Sequence, residues 1–174
     1  MKYRTSSSIA LFSVILIFGL VIIMLFFSPW IYALNYNGHW IVAERHITGY
    51  ELVQGDIIYF DLTVHQTFSP LFTLLGGVAI ILGSIWGLVS NRLSISGTLC
   101  TLGGSLCLFG GLYYTSRFNE IIVSSGDWSI NESQFFNGSL LCGISMLLGT
   151  FTILFTLLYA GTRRKSASLP VDNC

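Results

Sequence analysis

The chain has 174 residues, 53% of them hydrophobic and 9% charged, with a mean hydropathy of +0.73. A soluble domain carries about 25% charged residues, so eight basic and eight acidic side chains are too few to cover a water-exposed globule of this size. The balance excludes a soluble enzyme, a disordered chain and a basic nucleic-acid binder, and points to an integral membrane protein.

A helix that crosses the hydrocarbon core, about 30 Å thick, needs roughly 20 mostly apolar residues. Four stretches meet this requirement, 9–27, 71–89, 95–114 and 139–160, and none contains Asp, Glu, Lys, Arg or His. Lys2 and Arg4 ahead of the first stretch are what a secretory signal would carry. The apolar run exceeds the roughly 7–15 residues of a signal core and no small-x-small cleavage site follows, so it reads as a retained first helix. Phe26, Phe27, Trp30 and Tyr32 close it with the aromatic side chains favoured at a membrane interface, and Pro29 marks its exit.

The outer segment 28–70 is too long for a plain connector. Residues 40–47 are rich in β-branched side chains, and 50–53 lead through Gln54-Gly55-Asp56 into 57–64. A Gly-Asp pair between such runs signals a hairpin. In 57–64, Ile58, Phe60, Leu62 and Val64 alternate with Ile57, Tyr59, Asp61 and Thr63, the period of a strand with one covered face. Gln54-Gly55-Asp56 and the two isoleucines after it also resemble a turn-to-strand element of signal peptidases, but the loop is too small for that catalytic domain and lacks a serine–lysine pair.

His39, His46 and His65 all fall in this segment, with Glu44, Asp56 and Asp61 nearby. Histidine and carboxylate ligands suit zinc or copper. On one extended strand, however, His39 and His46 have opposite parity and face opposite sides. No HxH or HExxH spacing occurs, so loop histidines without a metal are expected, and no cofactor.

Ser69 and Pro70 suit the cap and first turn of the second span. The linker 90–94 is short enough to make spans two and three an antiparallel hairpin. Lipid tails are as apolar as leucine, so helices in a bilayer associate where small residues let backbones approach. In span three Ser96, Cys100, Gly103, Cys107 and Gly110 share one face, and Gly97, Gly104 and Gly111 recur every seven residues beside it. A seven-residue period keeps a seam on one neighbour through a left-handed crossing. Span four has a matching row in Gly138, Cys142, Ser145, Gly149, Thr152 and Thr156, and span two offers Gly76, Gly83, Gly87 and Ser90. Span one has Ser13 and Gly19 and is otherwise bulky. Spans two to four are therefore expected to form the tight core, with span one packed more loosely or facing lipid or a partner. Cys100, Cys107 and Cys142 lack charged or imidazole companions and read as packing residues rather than a metal or redox site.

The second outer segment, 115–138, repeats the strand theme in 121–123 and 128–130. Since an isolated hairpin is marginal, both outer segments are expected to build one small antiparallel sheet on the helix ends. Asn131 and Asn137 head glycosylation sequons there, Asn131 lying farther from the bilayer. After span four, Arg163, Arg164 and Lys165 open a polar tail, 161–174, that reads as unstructured from Ser166 to Cys174, with Cys174 a free thiol.

Orientation follows from the basic residues. Lys2, Arg4, Arg92, Arg163, Arg164 and Lys165 fall on one side if both termini are cytoplasmic, leaving Arg45 and Arg117 on the other. Seven acids, Glu44, Glu51, Asp56, Asp61, Glu120, Asp127 and Glu132, join those two arginines outside, which gives the outer cap a net charge of about −5.

Four helices, a larger first loop and the stretch Gly38-His39-Trp40, set beside the claudin Gly-Leu-Trp, resemble the claudin-like tetraspan proteins. The resemblance implies inside termini and a small mixed extracellular sheet. The paired cysteines that follow that tryptophan in claudins are absent here. The reading is thus one polytopic cell-membrane domain over 1–174, an all-α four-helix bundle with a small extracellular antiparallel β cap. It is expected to be a non-catalytic structural, adhesion-like or accessory subunit that contacts lipid and other membrane proteins or itself. The alternatives are an oligomeric transporter or channel component, against which the absence of intramembrane charge and proline argues, and an extracellular metal-binding or metalloenzyme subunit using the histidines.

Overall fold

A computed structural model describes residues 6–37, 40–59, 62–90, 93–124, 128–129 and 132–168. Four long helices dominate: α1 (Ser6–Phe27), α3 (Ser69–Val89), α4 (Leu93–Ile121) and α5 (Glu132–Ser168). All four are long and apolar enough to cross a membrane, over Ser8–Phe27, Ser69–Val89, Ser94–Arg117 and Gly143–Thr162. With a rise of 1.5 Å per residue, α4 is about 44 Å long and α5 about 55 Å, both longer than a hydrocarbon core of about 30 Å. Both helices extend past the apolar stretches 95–114 and 139–160, because polar residues can continue a helix once its apolar part is anchored. The helical tail reaches Ser168, where an unstructured segment was expected.

The helices pack in the order α1, α3, α4, α5, and α1 also touches α5. Their interior holds Phe12, Ile15, Ile22, Ile80, Cys100 and Cys107, all buried together. The expectation of a loosely packed first span is corrected. A Cβ built on Gly19 would lie 3.2 Å from the Gly77 carbonyl oxygen, and one on Gly77 would lie 3.2 Å from that of Gly19. Gly77 on α3 lets this close approach happen, while its neighbour Gly76 faces Gly103 and Cys107 on α4. The most exposed span is α5, with 22% of its apolar window buried against 28% for α1.

Between α1 and α3 the chain forms β1 (Pro29–Asn37), β2 (Trp40–Thr48), the short helix α2 (Gly49–Gln54), β3 (Ile57–Tyr59) and β4 (Leu62–Val64). After α4 come β5 (Ile122–Ser124) and β6 (Trp128–Ser129). The strands make two three-stranded antiparallel sheets, β2-β1-β6 and β3-β4-β5. Both outer segments do contribute to sheet structure, but one shared sheet is not what forms, since β5 and β6 join different sheets.

Two further corrections concern the first segment. Residues 49–54 are helical rather than one arm of a hairpin. Thr48 caps α2: its Oγ1 accepts from the Glu51 amide at 3.3 Å, and the Glu51 carboxylate accepts from the Thr48 amide at 2.8 Å. This reciprocal cap satisfies two donors that a helix start otherwise leaves open. Thr48→Ala is expected to cost about 1 kcal/mol of cap stability, read as a lower melting temperature, with Thr48→Ser close to wild type. The alternating run 57–64 is likewise not one strand, because the chain reverses between Tyr59 and Leu62, which pair with each other.

Candidate functional site

Two regions are the candidates for a functional site: the joint between cap and helices, and the faces by which helices meet. The joint is a second apolar core, made of Trp30, Ile31, Ile47, Leu52, Val64, Tyr114 and Ile121. Tyr114 and Ile121 come from α4, so the cap is seated on the C-terminal end of that helix. The Trp30 indole donates to the Leu25 carbonyl at 2.9 Å and meets the Tyr114 ring edge-on, with centroids 5.1 Å apart. Gly49 leaves room for it, since a Cβ there would lie 2.7 Å from the Trp30 Nε1. Tyr50, whose ring meets Phe26 edge-on, is exposed like Phe27 and Phe68, as amphipathic or apolar rings at a membrane boundary are.

Beside this core lies a small polar cleft of about 150 Å³ lined by His65, Gln66, Tyr113, Arg117 and Glu120, among others. The His65 amide donates to the Ile121 carbonyl at 2.7 Å, tying β4 to the end of α4. Arg117 pairs with Glu120 at 2.8 Å and stands 5.7 Å from the centre of the Tyr113 ring. Asp56 accepts from the Gln66 amide at 2.6 Å and lies 3.4 Å from the His65 Nδ1. The Gln66 N–H and the neighbouring imidazole hold the Asp56 carboxyl below the usual carboxylate range. A folded-state value depressed in this way gives stability that is present above the ordinary carboxylate value of about 3.9 and lost as pH falls through the folded value. Asp56→Asn is therefore expected to flatten the acid-side decline in cap stability, measured as protease resistance between pH 6 and pH 3.

Of the three histidines, His65 is in this cleft, His46 is exposed on β2, and His39 lies outside the described residues. No group of three or more His, Cys, Asp or Glu gathers as a metal site among the described residues. Asn131 also lies outside them, while Asn137 falls within α5. The salt bridge between Arg45 and Glu51, at 2.9 Å, was not foreseen in sequence. It joins β2 to α2, and its partial exposure limits it to a small stabilisation.

The α4 residues Ser96, Cys100, Gly103, Cys107 and Gly110 all face α3. Ser96 Oγ donates to the Gly83 carbonyl at 2.7 Å, and Ser69 Oγ on α3 donates to that of Gly110. The Cys100 and Cys107 thiols lie 3.9 and 3.8 Å from the carbonyl oxygens of Ile80 and Thr73. Each thiol thus fills an interhelical gap as a weak donor. The neighbouring α4 row turns to α5, where a Cβ on Gly104 would lie 2.6 Å from the Gly149 carbonyl oxygen. Ser145 on α5 is buried, and Cys142 lies in the same helix. Two adjacent faces of α4 therefore hold its two neighbours at backbone contact. No family model matches the chain, and no curated protein is significantly similar to it.

Proposed function

We propose that the protein is a multi-pass cell-membrane component with both termini cytoplasmic and a fixed extracellular cap, acting as a non-catalytic structural, adhesion-like or accessory subunit. The observation that carries this reading is the continuous core of Trp30, Ile31, Ile47, Leu52, Val64, Tyr114 and Ile121. It makes the cap a platform seated on α4 rather than a free loop. The platform presents strand edges at β2 and β3, and Ile58 on β3 is 75% exposed. Open edges and an apolar side chain beside them suit recognition of another chain. The glycine-to-carbonyl contacts on both sides of α4 favour a packed interior over a conducting one. The resemblance of the sequence layout to claudin-like tetraspan proteins would suit a contact role.

Two measurements test the reading. Reagents that cannot cross membranes should label a cysteine placed at Ile58 on intact cells, and one placed at Ser168 only after permeabilisation. Gentle solubilisation followed by mass spectrometry should recover stable membrane-protein partners that are lost on Ile58→Asp. A monomer free of partners in every detergent tested would refute the subunit role.

A further inference from the structure

A groove of about 500 Å³ runs between α4 and α5 at the end of the bundle opposite the cap. Its walls include Ser94, Thr98, Thr101 and Ser105 from α4, with Gly97 at its side and Thr156 from α5. Three of these hydroxyls are already committed within their own helices. Thr98 donates to the Ser94 carbonyl at 2.9 Å, Ser105 to that of Thr101 at 2.9 Å and Thr156 to that of Thr152 at 2.7 Å. Three of the five hydroxyls are thus satisfied, and Leu102, Leu157 and Ala160 complete the walls, a surface fitted to hydrocarbon.

Its length narrows the occupant. From Ser94 to Ser105 along α4 is about 16 Å, half of a hydrocarbon core about 30 Å thick. A packed partner helix would follow α4 through the whole bilayer, whereas one acyl chain occupies one leaflet. Charge narrows it further. α5 stays helical to Ser168, so Arg163, Arg164 and Lys165 follow the groove residue Ala160 within about 8 Å of axial rise. Basic residues at the membrane surface beside an interhelical pocket attract anionic headgroups.

We propose that this groove is a binding site for an anionic phospholipid of the leaflet on the side of the termini, with one acyl chain between α4 and α5 and the headgroup level with the basic α5 stretch 163–165. The site is independent of any protein partner at the cap and is tested on the purified chain. Protein in a mild detergent is titrated with palmitoyl-oleoyl phosphatidylglycerol or phosphatidylcholine, and bound lipid is counted by native mass spectrometry alongside the melting temperature. Phosphatidylglycerol is expected to bind one per chain, at least about tenfold more tightly than phosphatidylcholine, and to raise the melting temperature. The triple variant R163Q/R164Q/K165Q should remove the preference between headgroups. Thr98→Phe, at an exposed groove position, should abolish retention of the lipid while leaving the lipid-free melting temperature unchanged. If that variant fails to fold, Ser105→Leu is the smaller obstruction and carries the same expectation.

Equal binding of the two lipids by the wild type overturns the proposal, as does undiminished phosphatidylglycerol binding by the obstructed chain. So does a wild-type dimer that dissociates on Thr98→Phe, which would assign the groove to a second copy.

Discussion

Gly103→Leu is expected to remove most of the folded protein, and Gly103→Ala alone to cost about 1–3 kcal/mol by overpacking. A Cβ at position 103 would stand 2.6 Å from the Gly76 carbonyl oxygen, 2.7 Å from Ile80 Cγ1 and 2.9 Å from the Ile80 amide nitrogen. Two of these three atoms are backbone, so no rotamer change relieves the clash and α3 must move away from α4. That movement would also separate the Cys100 and Cys107 thiols from the carbonyls they approach. Gly97 is the internal comparison, nearly two turns away on the same helix. A Cβ there meets the Thr156 methyl group alone, at 3.3 Å, and Gly97→Ala should change stability by less than about 0.5 kcal/mol. Leu16→Ala, at a half-buried position on α1, should also be milder than Gly103→Leu. The fraction of monodisperse protein after heating in detergent separates these cases, and equal melting of Gly103→Leu and Gly97→Ala would refute the account.

The second large effect is expected at Trp30. Its side chain is fully buried and joins three parts of the molecule: the end of α1 through Leu25, α2 through Gly49, and α4 through Tyr114. Trp30→Ala leaves a large cavity in the cap core and should cost about 3–5 kcal/mol. Trp30→Phe keeps an aromatic edge but loses the indole N–H, leaving the Leu25 carbonyl without that donor, at a cost of about 1 kcal/mol from the hydrogen bond. The cap should loosen before the helices separate, so tryptic cleavage at Arg45 should accelerate in Trp30→Ala at temperatures where the bundle stays folded. Unchanged cleavage at Arg45 would show that the cap does not depend on this joint.

Much of the helical architecture was legible because a spanning segment advertises itself locally. A long uncharged apolar run can satisfy its own backbone hydrogen bonds only as a helix in lipid, whatever its neighbours do. The α4 rows were equally readable, since a repeat of small residues at helical spacing defines a face before any partner is known. Local signals were also overlooked. Thr48 and Glu51 stand at capping-box spacing, a helix signature that the β-branched residues around it obscured. Gly19 and Gly77 were each visible, but nothing local says that these two glycines on different spans will meet.

By itself the sequence determined the membrane class, four apolar helices and a small-residue surface on α4, because length, hydropathy and period are properties of single segments. Tertiary structure decided which partner each face received and how the outer strands were shared. Strand β1 begins at a proline beside aromatic residues that suit an interface anchor equally well, and it becomes a strand by pairing with β2 and β6. The run 57–64 alternates as one strand would, yet it reverses, placing Thr63 opposite Ile58 on one side and Val123 on the other. Strand pairing draws on residues far apart in the chain, so period alone identifies a surface that can be covered without naming what covers it.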